Sequence, residues 1–505
     1  MTIEQIEPLG AKVRLRYSLV INFISRIIAL LLNLAFIIIV ARKLSTADFS
    51  AWIILNKYLG YSILFVAIYG FWTIRAISRG WNVSKNSLRI AIFLGFTVSC
   101  ISLPVLYYLW SFMFVDLFPV LIFAFVIFEE YIARAFLVIA GGYKPQFGGY
   151  YTLIVSLLRI IFAYYMVVIL EFGLLGAVLA VILSRALGII VSYYYNRELI
   201  KTSKFDPNIT RMWIRNSWYT LAFSFVSVLI MLDAIIVRII TKSDLVIAYY
   251  GVVFLVTNFV GTIRVTSRVV SARVLAKRKQ EVINEAIWLV LFLTMPLVVV
   301  MITFSKAIIA IMNIRYIAIA HVVAIFAISG LMRLIYEINK ATLNAWEYED
   351  YNIYERFSIM NTALFDTLII ELITSVAFLI SLGIISFFVS NPVTLVYIWG
   401  VLYLIKFLVG IIAIEISGTK RFGVQFTSNR KMLIIQAKYA LASLVTILVG
   451  LNIHIHISTR FFDMVYELMG ACILVMIIFY VVLLIIDQKA RTFVVTFVKR
   501  YIKKF

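Results

Sequence analysis

Side chains that bind metals or act as nucleophiles are scarce in this chain of 505 residues, which has only two cysteines and three histidines. Cys100 and Cys472 both lie inside apolar segments, where a cysteine usually serves as a small core residue. His321, His454 and His456 have no cluster of acidic or sulfur ligands beside them in the sequence. The sequence therefore predicts no disulfide framework, no metal site and no cofactor. It also offers no Ser/His/Asp or Cys/His arrangement from which to predict catalytic residues.

Charged residues are also few, at 14% of the chain, whereas hydrophobic residues make up 64%. A soluble chain of this composition could not cover its apolar surface with polar groups. Lipid removes that constraint, but each spanning segment must then satisfy its own backbone hydrogen bonds, as a helix or as part of a closed barrel. The apolar runs are long and continuous, without the alternation of a membrane barrel. The sequence thus predicts an all-α polytopic membrane protein.

Because about 20 apolar residues make one crossing, we expect about fourteen transmembrane helices. They are predicted at 17–41, 51–76, 89–110, 118–139, 149–170, 174–196, 213–240, 245–270, 284–304, 316–342, 362–388, 393–416, 433–454 and 464–486. The first run is too long for the apolar part of a signal peptide and lacks a small-x-small cleavage site. We therefore expect it to be a span and not a cleaved leader.

Acidic residues are outnumbered, 24 against 46 Lys and Arg, which gives a formal net charge of +22. The basic residues mostly occupy short segments between apolar runs, so they are expected to orient helices and to contact anionic membrane lipids, not nucleic acid. They concentrate on one set of loops, which predicts that both termini are cytoplasmic. The acidic segment 346–361 departs from this pattern, and the sequence assigns it no role.

The chain shows signs of an internal repeat. Ser45-x-x-Asp48 and Thr241-x-x-Asp244 resemble helix-capping patterns, and each follows the first long helix of one half. These patterns predict pseudo-symmetric lobes of six helices at 1–200 and 201–420, followed by a helix pair and a basic tail at 421–505. Duplicated helical halves are a common transporter plan, with the substrate site between them.

Three segments carry a resemblance to a known family: Phe23–Phe49, Leu232–Tyr250 and Phe304–Ala320. The first resembles the opening hairpin of prokaryotic polysaccharide and lipid-linked-oligosaccharide flippases. These flippases belong to the multidrug/oligosaccharidyl-lipid/polysaccharide (MOP) exporter superfamily. The second segment is similar to the D-x-x-I-I…V-x-x-Y signature of that family, and the third to its F-S-x-x-I-I stretch before helix 10.

The resemblance implies two six-helix lobes in a V shape that expose a central cavity alternately to either face of the membrane. It also implies a substrate, a polyprenyl-(pyro)phosphate-linked sugar or oligosaccharide, that moves from the cytoplasmic to the outer leaflet of a prokaryotic cell membrane. Fourteen spans fit the polysaccharide and lipid II flippase branches better than the twelve-span multidrug antiporters. The identity of the sugar, the carrier and the polysaccharide biosynthesis pathway stay open.

An ionisable residue inside a span is costly and should face protein or a wet cavity. Arginine offers permanent, bidentate contacts to phosphate. Arg264 and Arg268 share one helix face, and the resemblance implies that cationic residues of helices 1 and 8 line the cavity. We therefore predict Arg26, Lys57, Arg264 and Arg268 as substrate-binding residues.

Other intramembrane charges have a structural explanation. Glu130 with Arg134, and Arg333 with Glu337, are spaced to pair along one helix. Asp233 is open between two roles: an ion pair, with Arg238 or with a partner helix, or the coupling of transport to H⁺ or Na⁺.

Three other function classes compete with the flippase. The first is a membrane-embedded glycosyltransferase or polymerase of the same pathway; the short outer loops and the lack of a catalytic constellation weigh against it. The second is a drug or cation antiporter of the same superfamily; the excess of intramembrane arginine over acidic residues weighs against that. The third is a scaffold that transports nothing, which would tolerate the loss of the cationic residues.

Overall fold

The computed structural model describes residues 15–78, 80–261, 280–346, 362–455 and 461–502. Within these ranges the chain is helical, and no β-strand occurs. The predicted substrate residues Arg264 and Arg268 and most of the acidic segment 346–361 lie outside the described residues. The predicted all-α class is confirmed.

The chain forms two compact units, Met1–Ala248 and Tyr249–Phe505. These are called unit 1 and unit 2 below. They are defined by packing, whereas the predicted division at 200 and 420 rests on the repeat and stays a prediction.

Unit 1 contains ten helices in its described part and the start of an eleventh. They are α1 (Leu15–Lys43), α2 (Thr46–Ser62), α3 (Ala67–Ser78), α4 (Ser84–Trp110), α5 (Leu117–Tyr143), α6 (Phe147–Ala163), α7 (Gly173–Thr202), α8 (Pro207–Asn216), α9 (Trp218–Leu229), α10 (Asp233–Thr241) and α11 (Asp244–Gly261), which continues into unit 2. A 3₁₀ turn joins α2 to α3, another joins α9 to α10, and a π turn extends α6. Within the unit, α5 packs on α4 and α7, and α6 packs on α1 and α7.

Unit 2 contains the rest of α11 and eight further helices in its described part. They are α12 (Gln280–Thr303), α13 (Ser305–Met312), α14 (Val322–Trp346), α15 (Ala363–Phe388), α16 (Pro392–Phe422), α17 (Arg430–Gly450), α18 (Phe461–Ile486) and α19 (Gln488–Ile502). Here α16 packs on α14 and α15, while α17 packs on α12 and α18.

Eleven helical segments of the described chain are long and apolar enough to cross a membrane, so this is a multi-pass membrane protein. The three other predicted spans fall on α1, α5 and α11. Helix α5 differs from the eleven because Glu129, Glu130 and Arg134 lie together in its middle. The exact number of fourteen spans stays a prediction.

The two turns of the predicted repeat are built differently in detail. Ser45 caps α2 as expected, since its Oγ accepts a hydrogen bond from the backbone N–H of Asp48 at 3.0 Å. At the second turn the Oγ of Ser243, and not the Thr241 hydroxyl, accepts from a first-turn N–H, that of Val246 at 3.4 Å. Lys242 takes a left-handed conformation there, with φ of 51°.

Two glycines let helices approach closely where ionisable residues meet. A Cβ at Gly188 of α7 would lie 2.5 Å from the Val155 side chain of α6. A Cβ at Gly410 of α16 would lie 2.7 Å from the Tyr336 ring of α14. These distances are far below van der Waals contact, so only glycine permits the observed spacing at either position.

Candidate functional site

A polar cavity of about 220 Å³ lies inside unit 1, between α1, α5, α6 and α7. Its lining includes three arginines and one carboxylate, Arg134, Arg159, Arg185 and Glu130, along with Asn33, Tyr151, Thr152 and Ser156. Every one of these helices is otherwise strongly apolar. A group of charges at such a place is costly unless it faces water or a polar ligand. We call it the arginine cavity.

Glu130 is the centre of the charge network in the arginine cavity. Its Oε1 accepts from Nε of Arg134 at 2.6 Å, one helical turn away, as the spacing predicted. Its Oε2 lies 2.9 Å from Nη2 of Arg185 on α7. The Nη1 of Arg185 donates to the backbone carbonyl of Val126 at 3.0 Å. Helices α5 and α7 are therefore joined by an arginine that is almost fully buried.

Arg159 of α6 completes the cationic side of the cavity. Its Nη1 donates to Oδ1 of Asn33 on α1 at 3.3 Å. Its guanidinium lies 5.6 Å from the ring centre of Phe36. Its Nε is buried and has no hydrogen-bond partner among the described residues. Because a guanidinium carries five N–H donors, much of the donor capacity of Arg159 remains for a ligand or water.

The formal charges of the cavity lining do not cancel. Three guanidinium groups face one carboxylate, Glu130, so the lining carries a net charge of 3 − 1 = +2. Glu129 is buried beside it but does not line the cavity, and if ionised it would leave +1. The Arg134 side chain is 41% exposed, whereas those of Arg185 and Glu130 are 8% and 15% exposed. An unbalanced positive charge at such a partly buried site favours an anionic occupant.

The size of the arginine cavity limits what it can hold. Ligand sites for drug-sized molecules usually measure ~300–1,000 Å³, and this cavity measures about 220 Å³. It has room for a small anionic group, with the bidentate hydrogen bonding that arginine gives to phosphate. A complete oligosaccharide would not fit inside it.

The structure places the predicted site residues as follows. Arg26 lies on α1, and its side chain is outside what the structure describes. Lys57 of α2 is buried and forms an ion pair with Asp233, at the start of α10; its Nζ lies 3.0 Å and 3.3 Å from the two carboxylate oxygens. Asp233 therefore pairs with a partner helix. Arg238, its other candidate, pairs with Asp244 at 2.9 Å.

Sequence reasoning missed the arginine cavity. Neither Arg159 nor Arg185 is among the predicted site residues, although they lie inside the predicted spans 149–170 and 174–196. A rule that treats every arginine deep inside an apolar run as a candidate would have found both. The spacing of residues along the chain does not show that α1, α5, α6 and α7 pack around one cavity.

A second charged cluster lies in unit 2, where α14, α15 and α16 meet. Glu371 of α15 accepts hydrogen bonds at Oε2 from the Lys340 ammonium and from the Tyr336 hydroxyl, the latter at 3.3 Å. Lys406 of α16 is 5% exposed, and its Nζ has no hydrogen-bond partner among the described residues. Arg333 lies with its guanidinium 5.9 Å from the ring centre of Phe407, so its predicted pairing with Glu337 stays a prediction. We call Lys340, Glu371 and Lys406 the lysine cluster.

Comparison with known proteins places this fold among the MOP transporters. No family model matches the chain, and no curated protein matches it in sequence. Solved structures do match. The lipid II flippase MurJ, in an inward closed conformation, aligns with a TM-score of 0.65 at 15% identity, over 93% of this chain and 98% of MurJ.

Two other solved structures share the fold. A multidrug resistance MATE family transporter of the MOP superfamily, in an inward-facing conformation, aligns with a TM-score of 0.60 at 16% identity, over 80% of this chain and 99% of that one. A MOP superfamily transporter from Pyrococcus furiosus, described by a binding pocket of reverse polarity that suggests a different function, aligns with a TM-score of 0.50 at 15% identity, over 80% and 96% of the two chains. The chain thus has the fold of the MOP superfamily transporters.

Proposed function

We propose that this protein is a flippase that moves a polyprenyl-(pyro)phosphate-linked sugar or oligosaccharide from the cytoplasmic to the outer leaflet by alternating access. The observation that carries the proposal is the arginine cavity, a cationic, phosphate-sized space among apolar helices. In this proposal the cavity holds the phosphate or diphosphate of the substrate while the sugar stays outside it. The protein lies in a prokaryotic cell membrane with both termini cytoplasmic.

The cost of removing a diphosphate from water supports this role for the arginine cavity. A diphosphate crossing the hydrocarbon core must exchange its water shell for fixed charges and hydrogen bonds. Arg159 and Arg185 supply both, because a guanidinium stays protonated and presents a planar fork of donors to phosphate oxygens. Arg26, Lys57, Arg264 and Arg268 are proposed as further substrate-binding residues, and Asp233 then serves to hold Lys57 in place.

The comparisons favour a flippase over a drug antiporter, the second candidate. MurJ aligns with 93% of this chain and the multidrug transporter with 80%. A lipophilic cation would also be repelled by a lining of net positive charge. The Pyrococcus protein links a reversed pocket polarity to a different function within this fold, which agrees with the use of pocket charge to separate substrate classes.

The proposal is tested with purified protein in liposomes that carry a fluorescent polyprenyl-pyrophosphate sugar, assayed by quenching of the outer leaflet. A control lipid carries a neutral linkage in place of the diphosphate and is otherwise identical. A separate assay measures transport of a lipophilic cationic dye. We expect protein-dependent equilibration of the diphosphate lipid alone. Transport of the cationic dye without movement of the diphosphate lipid would favour the antiporter, and turnover of the sugar linkage would favour the transferase.

A further inference from the structure

The lysine cluster of unit 2 contains more positive than negative charge at one buried point. Its two lysines share one carboxylate, that of Glu371, and the side chains of Lys340 and Glu371 are each only 9% exposed. Lys406 is buried on the neighbouring helix; its Nζ has no hydrogen-bond partner among the described residues and lies 5.2 Å from the ring centre of Phe407. Because Gly410 lets α16 approach the Tyr336 ring of α14 closely, the three helices meet tightly at this cluster.

The cluster is a poor site for an inorganic cation. Sodium and related ions need several oxygen ligands in a cage that is neutral or negative. Here Oε2 of Glu371 already accepts hydrogen bonds from Lys340 and Tyr336, so one of its two oxygens is already engaged. The second ammonium, that of Lys406, would repel a metal ion further.

The lysine cluster is, by contrast, suited to exchanging a proton. A charged ammonium has three N–H donors to satisfy, and burying it without partners is far more costly than burying the neutral amine. The charged form of Lys406 is therefore favoured when water or an acceptor side chain reaches Nζ, and the neutral form is favoured when none does. The titratable and charged groups around it are Arg333, Tyr336, Glu337 and Lys340 of α14, Glu371 of α15, and Tyr403 of α16.

We propose that Lys406 is a proton-carrying group of this transporter, and that the lysine cluster couples transport to H⁺. In one state the N–H bond of the ammonium breaks, the proton passes to water, and a neutral amine remains at the position described here. In the other state, water reaches Nζ and a new N–H bond forms as hydronium gives up its proton to the amine, while the Glu371 carboxylate stabilises the ammonium that results. This proposal rests on the proposed flippase function only for the identity of the transported lipid.

The first test counts protons and needs no substrate. Purified protein in detergent is titrated from about pH 6 to about pH 9, a range in which an ordinary lysine stays charged. We expect wild type to release about one proton per chain more than either Lys406→Met or Lys406→Arg. Lys420→Met, an exposed position on the same helix, should match wild type. Lys406→Arg keeps the positive charge, so it controls for a Met variant that folds poorly.

Equal proton release by wild type and both Lys406 variants would overturn the proposal, whatever the transport assay gives.

The second test imposes a pH gradient or a Na⁺ gradient on liposomes carrying the diphosphate lipid. A pH gradient should accelerate equilibration several-fold in wild type and in Lys420→Met but not in Lys406→Arg. Acceleration by Na⁺ and not by pH would overturn it. If no lipid is moved at all, the flippase function fails while the proton count still decides the role of Lys406.

Discussion

The buried pair of Lys57 and Asp233 gives the sharpest prediction about how unit 1 is held together. The ammonium contacts both carboxylate oxygens, at 3.0 Å and 3.3 Å, and the side chains are 10% and 0% exposed. Oδ1 of Asp233 also accepts from the backbone N–H of Ala234 at 2.7 Å. Removing one partner of such a pair leaves an uncompensated buried charge, which costs about 3–5 kcal/mol.

We therefore expect Lys57→Met and Asp233→Leu each to lower stability by about 3–5 kcal/mol, whereas the double variant should recover most of the loss because no charge is left unpaired. Taking an unfolding entropy of about 2 cal/mol/K per residue over 505 residues, each single change lowers the melting temperature by roughly 3–5 °C. The assay is thermal unfolding in detergent, followed by intrinsic fluorescence. Lys43→Met, an exposed lysine at the end of α1, is the control and should stay within 1 °C, as expected for surface positions (about 0.5 kcal/mol).

The double variant also separates two roles of Lys57. If Lys57 only pairs with Asp233, the stable double variant should move the diphosphate lipid at the wild-type rate. If it also contacts phosphate, as predicted, transport should fall although stability is restored. Additive losses of stability in the double variant, with no coupling between the two positions, would refute the reasoning about the pair.

Two further predictions concern the packing around the charged clusters. Arg185→Gln removes one of the two guanidinium groups on Glu130 and the bond to Val126, so we expect a loss of about 2–4 kcal/mol in thermal unfolding; an unchanged melting temperature would contradict the network. Gly410→Ala places a methyl group against the Tyr336 ring and should cost about 1–3 kcal/mol. Gly470→Ala, which meets nothing within 4 Å, is its control, and equal effects of the two changes would contradict the close approach.

Much of the architecture was readable from the sequence because apolar length is a direct signal. Eleven described segments meet the criteria for a span, and α5, which carries Glu129, Glu130 and Arg134, was predicted correctly as a helix at 118–139. The pairing of Glu130 with Arg134 was also predictable, since it depends only on positions four apart in one helix. The cap by Ser45 was predictable for the same local reason.

The candidate site was less predictable because it depends on which helices converge. The sequence shows that Asp233 and Lys57 are costly in a span, but they lie 176 positions apart, and no periodicity joins them. Arg159 and Arg185 meet only because α6 and α7 pack together within unit 1, with Gly188 allowing the close approach. The burial of Lys406 likewise depends on the packing of α14, α15 and α16.

The most direct test of the central claim compares Arg159→Gln with Arg197→Gln in the lipid translocation assay. Glutamine keeps a hydrogen-bonding group toward Asn33 but removes one positive charge from the arginine cavity, and Arg197 is an exposed arginine on α7 outside the cavity. Loss of one charge-assisted hydrogen bond, worth about 1.5–3 kcal/mol, should slow equilibration of the diphosphate lipid about 10- to 100-fold in Arg159→Gln. Arg197→Gln should match wild type. Wild-type transport by folded Arg159→Gln would contradict the claim that the arginine cavity holds the phosphate of the substrate.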